Sequence, residues 1–162
     1  MRTLIVYYSV TGHTRAVAQA LADQLAATLC EIKCQAYTTH IGPLRQAFDV
    51  MTGRSPDIDV PEDVSRAWDL VVLGGPVWGA RPAPPVRRYL KGHIGHTSKL
   101  ALFVTCNGTS PLYPPERAIT EMGALAPQRP MATRVFNQAQ ISGSALATNV
   151  ASFAAELAAA RL

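Results

Sequence analysis

The run Leu4-Ile5-Val6-Tyr7-Tyr8-Ser9-Val10-Thr11-Gly12-His13-Thr14 decides how the whole chain is read. Its first five residues are all apolar or aromatic, the composition of a strand buried on both faces inside a parallel sheet. The chain then turns through Ser9–Thr14, and Val17, Ala20, Leu21, Leu25 and Leu29 recur at helical spacing. A strand that turns tightly into a helix through hydroxyls and a glycine is suited to hold an anion. Loop amides and the positive end of the helix dipole converge there, and Ser9, Thr11 and Thr14 add donors. The loop has no lysine and no Gly-Lys-Ser/Thr, which excludes a nucleoside-triphosphate P-loop and leaves a small phosphomonoester as the expected anion. The same turn also reads as a helix cap and nothing more, the commoner use of Ser/Thr before a helix.

At 162 residues the chain has the length of one domain, 1–162, with a core that needs neither disulfide nor metal. Helical patterns alternate with short apolar runs, which predicts an α/β fold with a parallel sheet. The sequence shows neither a basic leader with an apolar core nor an apolar run of bilayer-spanning length, so a cytoplasmic protein without membrane partners is expected. Cys30, Cys34 and Cys106 lack zinc-finger spacing and do not form a disulfide framework. The net charge of +4 comes from scattered basic residues, mostly arginine, which argues against nucleic acid as a partner.

Cys30–Gln35 alternates apolar and polar, as an edge strand with one wet face does; Cys30 and Cys34 then share a side and read as packing residues. Pro43–Gly53 places Leu44, Ala47, Phe48 and Met51 at helical spacing before a glycine stop. Asp57–Asp69 gathers five acids around Pro61 into a surface connector. Leu70–Leu73 is the next apolar strand, which Gly74-Gly75-Pro76 is expected to break, and Trp68 just before it reads as structural. Pro82–Pro85 suits a helix start rather than a strand. Val86, Tyr89 and Leu90 then form the inner face, with Arg87, Arg88 and Lys91 on the other. Leu100–Val104 is a third apolar strand, followed by the loop Thr105–Pro111. Pro115 and Glu116 open a helix with Ala118, Ile119, Met122 and Leu125 as its stripe. Thr133–Asn137 is a more polar strand, and Leu146, Val150, Phe153 and Leu157 mark the closing helix.

The three wholly apolar strands belong in the centre of the sheet and the two mixed ones at its edges. With right-handed crossovers the simplest arrangement is a doubly wound five-stranded parallel sheet of order 2-1-3-4-5, with helices on both faces. Such a sheet binds ligands outside the carboxyl ends of its strands, where the order reverses. The loops Ser9–Thr14, Gly74–Pro82 and Thr105–Pro111 should meet there. Trp78 stands out in the second loop, because exposing an indole is unfavourable unless something covers it.

Ser9, Thr11, Gly12 and Thr14 match the pattern Ser/Thr-x-Thr-Gly-x-Thr, and with Gly74-Gly75-Pro76-Val77-Trp78-Gly79 and the proline-led helix the chain resembles the short-chain flavodoxin-like flavoproteins. The resemblance implies non-covalent FMN. Ser9, Val10, Thr11, Gly12, His13 and Thr14 form the phosphate loop, and Pro76, Val77, Trp78 and Gly79 line the isoalloxazine with Trp78 as the stacking ring. In that family the peptide after the tryptophan, here at Gly79, flips to accept a hydrogen bond from flavin N5. The third loop departs from the family's Gly-x-Gly-Asp. Thr105, Cys106, Asn107 and Gly108 carry no acid, and Tyr113, the candidate for the outer flavin face, lies beyond two intervening residues rather than directly after the loop.

The implied function is that of an FMN-dependent redox flavoprotein. It either exchanges electrons with a redox partner protein or uses NAD(P)H to reduce a small acceptor such as a quinone or flavin, as a monomer or homodimer. A flavin-free phosphate- or phosphoprotein-binding domain on the same fold is the alternative, against which Trp78-Gly79 argues. Arg81, Arg87, Arg88 and Lys91 suggest a basic rim for an acidic donor or the extra phosphate of NADPH, beside loops that hold no Asp or Glu.

Overall fold

In a computed structural model that describes residues 2–60, 67–94, 97–108 and 110–160, strand β1 (Thr3–Tyr7) is buried along its whole length. It leads into helix α1 (His13–Leu25). Then follow β2 (Thr28–Glu31), a short 3-10 turn (Gln35–Tyr37) and α2 (Gly42–Thr52). The chain continues through β3 (Trp68–Trp78), β4 (Arg81–Pro82), α3 (Pro84–Gly92) and β5 (Thr97–Cys106). It closes with α4 (Glu116–Leu125), β6 (Ala132–Asn137), α5 (Gln138–Ile141) and α6 (Ala145–Ala159). The parallel strands run β2-β1-β3-β5-β6, which is the expected order 2-1-3-4-5 once the two-residue β4 is set aside as an antiparallel arm on β3.

Alternation along the strands divides the core into two layers. Leu4, Val6, Val71, Leu73, Leu102 and Val104 face α3 and α4, packing on Val86, Tyr89 and Met122. Ile5, Tyr7, Leu70, Val72, Ala101 and Phe103 face α1 and α6, packing on Val17, Leu21, Phe153 and Leu157. Cys30 and Cys34 lie buried in the first layer, as does Trp68. No helix of the described residues is long and apolar enough to cross a membrane.

Four local readings need correction. Gly74-Gly75-Pro76 does not break β3. The strand pairs with β5 through Pro76↔Thr105, and the glycines make room for their neighbours. A Cβ on Gly74 would stand 2.0 Å from Phe103 Cζ, and one on Gly75 would stand 2.4 Å from Val86 Cγ2. Pro82 sits in a strand after all, opposite Val77 in β4. The edge strand is Thr28–Glu31 rather than Cys30–Gln35: pairing stops at Tyr7↔Glu31, where β1 enters its loop, although Ile32 and Cys34 stay buried. Leu29 therefore belongs to β2, because α1 ends at Ala26 in a left-handed conformation. Of the acidic connector, residues 61–66 with Glu62 and Asp63 lie outside the described residues.

Candidate functional site

The loops after β1, β3 and β5 enclose a cleft of about 360 Å³ at the carboxyl edge of the sheet. At its base the buried hydroxyls of Thr14 and Thr105 are hydrogen-bonded at 2.7 Å, joining the first loop to the third. Thr14 is the second residue of α1, where the amides of His13 and Thr14 have no carbonyl four residues back inside the helix. Gly12 supplies the left-handed φ of 95° that lets the loop enter the helix. Ser9 turns its hydroxyl inward, accepting from the amides of Gly12 (3.2 Å) and Arg15 (3.3 Å). Ser9 thus braces the turn into α1, whose N-cap is Gly12, while Val10, Thr11, His13 and Thr14 line the cleft.

Pro76, Val77, Trp78 and Gly79 form one wall, and Thr105, Cys106, Asn107 and Gly108 another. Thr109 lies outside the described residues. The third wall includes residues that sequence reasoning did not assign: Gln46, Ala80, Ser110 and Pro115. Tyr113 joins them because Ser110-Pro111-Leu112-Tyr113 folds back on itself, with the Tyr113 amide donating to Ser110 O at 3.0 Å. That tight turn, signalled in the sequence only by Ser-Pro, brings Tyr113 to the cleft that Trp78 lines.

Trp78 is held by two other rings. Tyr8 meets it edge-on at 6.0 Å and Tyr37 lies tilted at 6.2 Å. Burial raises the Tyr8 and Tyr37 hydroxyls above the ordinary tyrosine range, and in Tyr37 the hydrogen bond to Asp49 (2.7 Å) raises it further, so both stay neutral. Gly79 (φ 56°) and Ala80 (φ 62°) form the two-residue turn between Trp78 and Arg81, the double left-handed geometry of a type I′ hairpin.

The hairpin is clamped from behind. Arg81 donates from Nε (3.0 Å) and one terminal nitrogen (2.9 Å) to the two oxygens of Glu121 on α4, and from the other to Val50 O on α2 (2.9 Å). Arg87 is 2 % exposed. It donates to Asp49 O (3.1 Å) and Arg54 O (2.8 Å) and lies 3.6 Å from Glu121. The basic rim is corrected accordingly. Arg87 is interior because carbonyls at the end of α2 attract a cation there, and Arg81 is already neutralised. Arg88 and Lys91 remain exposed.

No Asp or Glu among the described residues lines the cleft. Burial, with a smaller contribution from Glu116, pushes the Cys106 thiol above its ordinary range, which keeps it protonated and poorly nucleophilic. The cleft therefore combines hydroxyls, the entry to a helix N-terminus and aromatic side chains in one lining.

No protein-family model and no curated protein matches the sequence. Among solved structures, a flavoprotein from Lactobacillus acidophilus NCFM in complex with FMN is 22% identical, with a TM-score of 0.69 over 86% of this chain and 95% of that one. Oxidised flavodoxin 2 from Bacillus cereus is 17% identical with a TM-score of 0.60, over 98% of this chain and 99% of its own. The fold is that of the flavodoxins. A WrbA-like flavodoxin from Agrobacterium tumefaciens, 16% identical, shares it at a TM-score of 0.52 over 99% and 97% of the two chains. In this flavodoxin-like fold the three loops that meet are the ones that the strand order requires at its reversal.

Proposed function

We propose that the chain binds FMN without a covalent bond and acts as a redox flavoprotein that uses NAD(P)H to reduce small, flat acceptors of the quinone or flavin type. One observation carries the reading: a single cleft is lined both by Thr11, His13 and Thr14 at the entry to α1 and by Trp78 and Tyr113. The cleft size falls in the range of small-ligand sites. When bound, FMN supplies reversible hydride and electron transfer.

The chain's own groups do the rest. The hydroxyls of Thr11 and Thr14 and the first amides of α1 hold a dianionic phosphate. Trp78, fixed by Tyr8 and Tyr37, presents an aromatic wall, and the Gly79 peptide lies beside it in a turn where glycine carries no left-handed penalty. A lining without carboxylates among the described residues fits a negatively charged reduced ring better than the acidic lining of a low-potential carrier does. Next to Trp78 and Gly79, a groove of about 380 Å³ along Pro43, Ala47, Val50 and Met51 is apolar enough for a neutral acceptor.

The test is a fluorescence titration with FMN and with riboflavin. Replacing Thr11 by Ala removes a hydrogen bond to a charged acceptor, at about 1.5–3 kcal/mol, and leaves the Thr14–Thr105 junction intact, so FMN affinity falls at least about tenfold. Riboflavin affinity stays the same. Protein indifferent to FMN overturns the reading, and equal losses for both ligands overturn the phosphate assignment. Bleaching of the bound flavin by NADPH without a protein donor selects the reductase, and bleaching only by a protein donor refutes it.

A further inference from the structure

Helix α2 is built inside out. Toward the protein it turns polar groups: Asp49 to the Tyr37 hydroxyl, and the carbonyls of Asp49 and Val50 to Arg87 and Arg81. Its N-terminus sits so tightly on the 3-10 turn that a Cβ on Gly42 would stand 2.3 Å from Tyr37 O. Its apolar side chains face outward: Ile41 is 56% exposed, Leu44 75%, Phe48 51% and Met51 83%. Their spacing of three, four and three residues is the seam by which one helix packs on another.

The other large apolar side chains exposed among the described residues, Val10, Leu112 and Tyr113, lie on the loops at the same edge of the sheet. Val10 and Tyr113 line the cleft, and Gln46, Trp78 and Gly79 line both the cleft and the groove beside Met51. The patch thus runs from the α2 seam to the mouth of the site. At ~80 Å² for each large apolar side chain, it offers roughly 560 Å² of apolar surface in the exposed state. That is about two thirds of the ~800 Å² a standard interface takes from each partner, and interfaces of that kind are close to half polar.

We propose that this patch pairs with the same patch on a second copy of the chain, α2 against α2 in antiparallel sense about a twofold axis. Antiparallel pairing sets Ile41 against Met51 of the partner subunit and Leu44 against Phe48 of the partner subunit, the layers that the seam spacing demands. The border carries both signs, with Arg45, Arg54 and Asp57, the last paired with Arg88 at 3.5 Å, around one notch beside Phe48. A patch bordered by both signs complements itself, as an isologous contact requires, whereas a one-signed partner or an anionic lipid surface favours a one-signed border. The inference stands on the surface of α2 and holds whether or not FMN is the ligand.

Sedimentation velocity tests it, from roughly 1 to 100 µM, since interfaces of this size can be as weak as micromolar. Wild-type protein should sediment at about twice 17.4 kDa at the upper end. The double variant Leu44→Lys, Met51→Lys, altered only at exposed positions and checked by an unchanged thermal midpoint, should sediment as a monomer throughout. A wild-type protein monomeric at every concentration overturns the proposal. So does a double variant that still dimerises, which moves the interface elsewhere. Co-sedimentation of a monomeric wild type with phosphatidylserine-containing vesicles overturns it in favour of a lipid surface.

Discussion

Glu121→Gln removes one charge from the clamp behind the Trp78–Arg81 hairpin while keeping its shape. In the wild type, Glu121 accepts two hydrogen bonds from Arg81 and neutralises the buried guanidinium of Arg87 from 3.6 Å. A hydrogen bond to a charged group contributes about 1.5–3 kcal/mol, and leaving a buried charge unpaired costs about 3–5 kcal/mol. The Arg81 and Glu121 side chains are 36% and 26% exposed, so water screens the pair and only part of that survives. About 2 kcal/mol remains, a fall of roughly 4–8 °C in Tm for a chain of this length. Burial alone raises the Glu121 carboxyl, but the hydrogen bonds from Arg81 and the charges of both arginines hold it below the ordinary range. A carboxyl depressed on folding contributes its stability above its unfolded pKa, about 4.3, and loses it as pH falls through the folded value. Urea melts at pH 7 should therefore separate wild type and variant by about 2 kcal/mol. The gap should narrow as pH falls below about 4.3 and close only below the depressed folded value, where the protonated wild type resembles the variant. FMN affinity should fall with it, because the hairpin carries Trp78 and Gly79. A gap under about 0.5 kcal/mol, the size of an ordinary surface substitution, refutes the clamp, and so does a gap that persists at low pH.

Gly74→Ala drives a Cβ into the Phe103 ring and should cost about 3 kcal/mol, the upper end of overpacking, read as a Tm fall of roughly 6–12 °C; a fall under about 2 °C contradicts the contact. Ala26→Gly relieves an exposed left-handed residue (φ 49°) at the end of α1 and should raise stability by about 0.5–1 kcal/mol in the same urea melts, an unchanged midpoint being the contrary result. With Arg81 paired and Arg87 buried, the rate of reduction by NADPH should change less than about twofold between low and high salt, and a tenfold drop would restore electrostatic steering by the rim.

The strand order was legible because burial sorts strands by composition: Leu4–Tyr8, Leu70–Leu73 and Leu100–Val104 have no polar face and cannot lie at an edge. The loops that meet followed from that order. What local reading missed depends on distant partners. Gly74 and Gly75 look like a strand breaker, but Phe103 and Val86, from other elements, fill the space that their missing side chains leave. Arg87 looks like a solvated helix residue until the carbonyls of Asp49 and Arg54 are in place beside it. Gln46 reaches the cleft from α2, and no pattern in its own segment points there.

The misreadings of Arg87 and Gln46 share a cause, the placement of α2, that also explains the character of the site. Arg81 and Arg87 act as internal anchors for a helix that has no apolar face to bury inward, so their charges serve α2 and the hairpin rather than a ligand. The cleft is then left with hydroxyls, backbone amides and rings, and with neither a bare arginine nor a carboxylate among the described residues that line it. An anion held by such donors is stabilised by oriented dipoles, which salt screens less than it screens separated ions. Fixing α2 from within by polar contacts is also what turns Leu44, Phe48 and Met51 outward beside Trp78. The clamp that sets the aromatic wall and the apolar seam that needs covering are two faces of one helix placement, so loosening Glu121 should disturb both.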